Sequence, residues 1–472
     1  MTKHFFVQKI LSCFLCITLL TLPTHVSSMT IGEERRIGEK LLYSVRGEFT
    51  VLDDPDIHQY INRLGQNVLN IVGPQFFDYH FFVVQSSQFN AFAAPAGLVF
   101  FYTGLIKTMK SEDELMSVLA HEIGHVVSRH ISQRIDQSTK VSAATLALGI
   151  AGLALGVPAL SQGILAGSLA AGQAIQLQYS RNDEEQADRL SFEWMHEMHR
   201  NPKAMVGMLR TMRRIARYSS GQYPQYLLTH PDPEARLDYV QSLVELDESQ
   251  QQPAYYVPTD NFSFLRFKYR ILQETMDPEK LRVFCSNAAA SDSDKEQAIM
   301  ARFGLALVEA DEHNIDRALE LLNEVKNRYK DKYVLDIDEA VIYAESQQFD
   351  RAKAILDKIV YRHPGDMYGV YQLALVEYKL GNLKKAEQLF ARVAKDLPQN
   401  AEIYYELGRL SADKGEQGVS RFYLGKYYLF KGRVKTARQY LESVSKEKEL
   451  PEKLQNEAFE ILDKLKKLEK EK

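Results

Sequence analysis

His121-Glu122-Ile123-Gly124-His125 decides how this chain is read. Two histidines four residues apart share one face of a helix, so both imidazoles can reach a single metal ion. Glu122 sits about a quarter turn from His121, where its carboxylate can address a water on that ion. Bound Zn²⁺ lowers the pKa of such a water toward ~7, and Glu122 can take the proton and hand it to a leaving amine. Helical context is expected because Ser111-Glu112-Asp113-Glu114 is a capping box, with Ser at the cap and Glu three residues on. The spacing predicts a helix over 112–134.

A catalytic zinc needs a third protein ligand and one open position. The candidate stretch is Ser180-Arg181-Asn182-Asp183-Glu184-Glu185-Gln186-Ala187-Asp188, opening a helix predicted over 182–198. Glu184 and Asp188 are four apart and share a face. One can bind metal while the other holds a ligand histidine through its second nitrogen. Arg181 can pair with a carboxylate near the site or form a surface salt bridge.

Upstream, 30–72 reads as two helices. The second is started by Asp54-Pro55 and carries Tyr60, Leu64, Val68 and Ile71 at helical spacing. Residues 79–84 and 98–102 read as strands, with Asn90 to Gly97 forming a turn between them. The stretch from Ala94 to Phe101, including Gly97, Leu98 and Val99, is expected to be an edge strand to which substrate adds as a further strand. A plain internal strand is the competing reading. Asn201-Pro202 and Asp232-Pro233 each start a further helix. Residues 141–180 carry no charge and are rich in Ala, Gly and Leu. Interrupted by Pro158 and several Ser and Gln, they read as a small-residue helical pair over the site that rests on a membrane surface, with a membrane-spanning hairpin as the alternative.

Beyond 290 the chain repeats. Ala340 and Ala374, Ala352 and Ala386, and Pro364 and Pro398 are each 34 residues apart, and Gly408 continues the first series. That period, with small residues at fixed places and Pro at the end, is the tetratricopeptide pattern. Gly304, Ala318 and Leu322 mark an earlier unit; Gly425, Ala437 and Leu441 mark a later one. Such arrays bind peptides or protein segments.

The whole chain has 472 residues, too many for one ordinary core. Its net charge of −4 shows no basic excess, which argues against nucleic acid as a partner. Residues 1–28 combine Lys3 and Lys9 with an apolar run from Ile10 to Leu22 and small residues at Ser27-Ser28, the features of a secretory signal. Its removal leaves Cys285 as the one cysteine, so no internal disulfide is possible. The expected organisation is a signal at 1–28, a protease domain over 29–248, a linker over 249–262 and a helical repeat domain over 263–468. The fold class is mainly α, a zinc protease domain of helices plus a small β-sheet followed by an α-solenoid.

His-Glu-x-x-His followed by Ser-Arg-x-x-Glu-x-x-Ala-Asp resembles the gluzincin peptidases related to HtpX and the mitochondrial Oma-type enzymes. Asn90-Ala91-Phe92-Ala93 and Thr229-His230-Pro231 fit the same family. The resemblance implies one Zn²⁺ per chain held by His121, His125 and Glu184, with Glu185 the competing third ligand. It makes Glu122 the general base and Asp188 the partner of a ligand histidine. It implies that His230 either aids catalysis at the oxyanion or occupies the open zinc position and holds the enzyme off. With the secretion signal and the repeats, it implies a periplasmic endopeptidase acting on unfolded or misassembled outer-membrane proteins, docked to the assembly machinery by its repeats. A chaperone or scaffold with a latent protease is the alternative.

Overall fold

The computed structural model describes residues 29–137, 179–218, 225–250, 255–291, 294–447 and 450–470. The expected signal at 1–28 and nearly all of the uncharged stretch lie outside them. Among the described residues no helix is long and apolar enough to cross a membrane.

The N-terminal region opens with two helices, α1 (Ile31–Glu48) and α2 (Pro55–Val72). Thr30 and Glu33 form a reciprocal capping box on α1, and Asp54 accepts from the Asp56 and Ile57 amides at the start of α2. A three-stranded sheet follows, of β1 (His80–Val84), β2 (Ala91–Ala94) and β3 (Leu98–Tyr102) in the order β1-β3-β2. β3 runs parallel to β1 and antiparallel to β2, with Phe100 opposite both Phe82 and Phe92. Leu98 and Val99 therefore lie on the central strand, where both backbone edges are taken, and Gly97 sits in the turn before it at φ 81°. They do not form the expected edge. The outer strands are β1, on whose free side residues 50–52 pair, and β2, and of the four residues assigned to a substrate edge only Ala94 lies on β2.

After the short α3 (Thr103–Thr108) comes α4 (Glu112–Val127), capped by Ser111 and buried along most of its length. The helix expected over 112–134 is two: α4 ends at Val127 and α5 spans His130–Gln137. Arg129 breaks it at φ 53°. Its guanidinium is held from α1, donating to Glu34 Oε2 (2.8 and 3.1 Å) and to the Met29 carbonyl (2.8 Å). These bonds offset the left-handed backbone at a non-glycine residue.

α6 (Arg181–Glu197), α7 (Lys203–Tyr218), α8 (Gln225–Thr229) and α9 (Pro233–Gln250) complete this region. Gly124 lets α6 approach α4 closely, since a Cβ there would stand 3.3 Å from the Ala187 Cα.

The expected linker is no free tether. Residues 251–254 are outside the described set, but Val257 donates to the His199 carbonyl, Thr259 to Asp113, and Asn261 accepts from the Glu112 amide. The chain then enters α10 (Phe262–Thr275), whose Phe264, Leu265 and Ile271 are fully buried. One core cluster runs from Leu52 through Leu119 and Phe264 to Leu335, so the N-terminal helices and the first repeats share a hydrophobic interior.

Helices α11 (Pro278–Ala289), α12 (Lys295–Asp311), α13 (Ile315–Arg328), α14 (Val334–Glu345), α15 (Phe349–Arg362), α16 (Met367–Lys379), α17 (Leu383–Asp396), α18 (Ala401–Asp413), α19 (Gln417–Phe430), α20 (Val434–Val444) and α21 (Glu452–Lys470) form the repeat array. Ala340, Ala374 and Gly408 fall in α14, α16 and α18, and the matching Ala352 and Ala386 in α15 and α17. The four alanines are fully buried where the paired helices meet. The far end of the array returns to α1: Arg46 donates to the carbonyls of Phe430 (2.5 Å) and Gln399 (3.0 Å), and Lys431 pairs with Asp53.

Candidate metal centre

α4 and α6 present their polar groups to the same point, and the turn between α8 and α9 brings a third group in. His121 Nε2 and His125 Nε2 are 3.0 Å apart. Glu184 reaches both, Oε2 standing 3.6 Å from His121 Nε2 and Oε1 3.4 Å from His125 Nε2. His230 Nδ1 lies 3.4 Å from His121 Nε2 and 2.9 Å from Glu184 Oε1. Donor atoms of these four residues all fall within 4.8 Å of one another, and all four residues are buried. A tetrahedral ion with bonds near ~2.1 Å sets its ligands roughly 3.4 Å apart, and the approaches of 2.9–3.6 Å in this group bracket that value. Imidazole nitrogens with one carboxylate suit zinc among the common ions.

Glu122 stands beside the cluster, its Oε1 3.5 Å from His230 Nε2. Among the described residues neither Glu122 oxygen nor His230 Nε2 has a hydrogen-bond partner, although all are buried. Such groups are costly in a purely structural setting. Burial pushes the Glu122 carboxyl above its usual range, against the pull of His230 and His121. Burial likewise holds His125 well below the ordinary imidazole value, in the neutral form that ligates. Glu184 goes the other way. Burial opposes its ionisation, but His230 and Arg236 outweigh it and hold the carboxyl well below the usual range. Two neighbouring glutamates are thus driven apart, one toward a fixed anion and one toward a proton carrier.

Asp188 Oδ1 is 2.9 Å from His121 Nδ1, the far side of the ring that faces Glu184. Arg236 on α9 grips Asp188 through two bonds of 2.7 and 2.8 Å and reaches Glu184 Oε2 at 2.7 Å. Burial alone would raise Asp188, but Arg236 and His121 keep it low. His125 Nδ1 is 2.9 Å from His130 Nδ1. Aromatic rings wall the cluster: Tyr179 stacks on His125 at 3.8 Å and Tyr226 on His230 at 4.2 Å.

The structure thus brings together His121, Glu122, His125, Glu184, Asp188 and His230. Glu185, the competing third ligand, is exposed on α6. Arg181 is not near the cluster; its side chain is 81% exposed and pairs with Asp232. Arg181 is the first residue of α6, and its guanidinium turns outward to Asp232 at 2.7 Å although its spacing to Glu184 would allow a shared face. Arg236 does what was looked for from Arg181. Sequence reasoning missed it, although a charged residue four and eight positions before the buried Val240 and Val244 is a readable signal.

Residues 52–244 match Peptidase family M48. Residues 337–401 and 371–418 match the tetratricopeptide repeat. The chain is 26% identical over 419 residues to the beta-barrel assembly-enhancing protease of Escherichia coli (strain K12), covering 81% of this chain and 82% of that protein. It is 27% identical over 217 residues to the mitochondrial metalloendopeptidase OMA1 of Schizosaccharomyces pombe, covering 45% and 61%. The metalloprotease YcaL of Escherichia coli (strain K12) is 28% identical over 162 residues, covering 34% and 61%. The chain carries a Peptidase family M48 domain, that of a metalloendopeptidase, followed by tetratricopeptide repeats.

Proposed function

We propose that this protein is a zinc-dependent endopeptidase of the periplasm that acts on unfolded or misassembled outer-membrane proteins, with its repeats binding substrates or assembly machinery. The observation that carries the zinc chemistry is the spacing of the donor atoms of His121, His125, Glu184 and His230 around one point. The substrate class draws on the likeness to the beta-barrel assembly-enhancing protease over most of both chains.

His121, His125 and Glu184 would hold a zinc ion, which when bound would supply Lewis acidity and lower the pKa of a water toward neutrality. Glu122, whose carboxylate has no hydrogen-bond partner among the described residues, would accept a proton from the attacking water as its oxygen bonds to the scissile carbonyl carbon. It then delivers the proton to the amide nitrogen as the C–N bond breaks. Asp188, fixed by Arg236, holds His121 through Nδ1 and so turns Nε2 toward the ion. An extended substrate pairs with β2, the edge strand that packs on α4.

His230 would cover the position left open for substrate and so keep the protease latent. Its full burial and its 2.9 Å approach to Glu184 support that reading over a role reserved for the oxyanion. A second reading, a chaperone or scaffold with a mostly latent protease, draws on the same closure, since the ligand residues are at most 3% exposed.

Digestion of an unfolded outer-membrane barrel protein by wild type, Glu122→Gln and His230→Ala, each loaded with zinc, tests the reading. Glu122→Gln should be inert and His230→Ala faster than wild type. A Glu122→Gln variant that cleaves as wild type does would remove the proposed mechanism. A His230→Ala variant as inert as Glu122→Gln would make His230 catalytic instead of a plug. A Glu122→Gln variant that supports outer-membrane assembly fully would move the main role to the scaffold reading.

A further inference from the structure

Five residues along an unbroken helix are rotated by about 140°, so His125 and His130 would not meet if α4 continued. The left-handed turn at Arg129, pinned by Glu34, folds α5 back and sets His130 Nδ1 2.9 Å from His125 Nδ1. His130 is 3% exposed. Its other nitrogen, Nε2, is 3.1 Å from Gln186 Oε1 on α6, two residues beyond Glu184.

One proton arrangement satisfies this chain. If His125 ligates through Nε2, that nitrogen keeps its lone pair and the neutral ring carries its proton on Nδ1. His125 Nδ1–H then donates to His130 Nδ1, which must be the unprotonated nitrogen of its ring. His130 Nε2 therefore carries the proton and donates to the Gln186 carbonyl oxygen. Gln186 fixes the tautomer of His130, and His130 fixes the tautomer and tilt of His125.

We infer that His130 is a positioning residue for the metal ligand His125, acting through a Gln186–His130–His125 relay that the break at Arg129 makes possible. It is the counterpart of Asp188 on His121, with a neutral acceptor in place of a carboxylate. The inference rests on the zinc reading above, and the experiment separates the two.

The dissociation constant for zinc is measured on the full chain by competition with a chromophoric chelator. Wild type, His125→Ala, His130→Leu, His130→Gln and Gln186→Leu are compared. Loss of a group that orients a ligand histidine weakens metal binding roughly 10- to 100-fold, and that loss is expected for His130→Leu. His130→Gln retains an amide oxygen that can accept from His125 Nδ1–H and should recover most of the affinity. Gln186→Leu, at an exposed position that leaves the core untouched, should weaken binding by a smaller factor, and decides the matter alone if His130→Leu fails to fold. Equal losses in His130→Leu and His130→Gln would reduce His130 to packing and overturn the inference, as would wild-type affinity in Gln186→Leu and His130→Leu. If His125→Ala binds zinc as tightly as wild type, the zinc site itself is misassigned.

Discussion

Two buried clusters of charge in this molecule are built to opposite ends. Where α10 meets α2 and α14, Arg266 takes both oxygens of Asp338 (2.6 and 2.8 Å) and Asp56 (2.6 Å), while Arg270 takes Asp54. The carboxylates here are all paired, and Arg270 Nε, 3.5 Å from Asp56, is the atom left without a hydrogen bond. At the candidate metal centre Arg236 satisfies Asp188 in the same bidentate way, yet among the described residues neither oxygen of Glu122 has a hydrogen-bond partner. A charge network that only supports structure saturates its members. One that performs chemistry leaves a carboxylate to be satisfied by the reaction.

That contrast is breakable by mutation, and the largest effect is expected at the open cluster. Glu122→Gln should cost roughly 10²- to 10⁴-fold in peptide cleavage, while the melting temperature holds or rises because an unpaired buried carboxylate is gone. A clear drop in melting temperature would show that Glu122 has a structural partner. The reverse is expected at the closed cluster. Arg266→Ala strands Asp338 and Asp56 and should destabilise the protein by about 3–5 kcal/mol in denaturant unfolding, with zinc affinity of the folded fraction unchanged. An effect under about 1 kcal/mol would mean the network is solvated and the comparison false. Asp188→Ala lies between the two. It should weaken zinc binding roughly 10-fold or more and also release Arg236, so both affinity and stability fall. Loss of stability alone would remove Asp188 from the support of His121.

The smallest effect concerns acid. Glu377, on α16, is pulled between Lys353 on α15 and Lys385 on α17. Burial would raise its carboxyl, but the two lysines and Asn382 bring it from 4.5 down to about 2. A folded-state value below the unfolded one means stability that is full above 4.5 and lost as pH falls toward 2. The gap in melting temperature between wild type and Glu377→Gln should therefore be present at neutral pH and close across that window. A gap that does not change with pH would assign Glu377 a role other than its charge.

The parts legible in the sequence are those written in local pattern. The cap at Ser111, the i,i+4 histidines, the Glu184–Asp188 pair and the 34-residue period each depend on spacing along one helix or one repeat, and each appears where its spacing predicts. What escaped depends on partners far away in sequence. β3 reads like any apolar strand, and its central place is set by β1 and β2 on either side. The break at Arg129 follows no glycine or proline; Glu34, ninety-five residues earlier, sets it. Polar residues at 249–262 look like a linker, yet Asn261 and Thr259 are polar because they cap and brace α4. The spacing of Arg236 to Val240 and Val244 marks it as inward-facing, but its partner Asp188 is set by the packing of α9 on α6.

The central claim is that His121, His125, Glu184 and His230 surround one zinc ion in the resting protein. Zinc K-edge absorption of the loaded full chain, wild type against His230→Ala, tests it most directly. Three imidazoles and one carboxylate are expected in wild type, with one imidazole fewer in the variant and no change in zinc stoichiometry. Identical spectra with two imidazoles in both proteins would contradict it, leaving His230 outside the metal and the closed state without its plug.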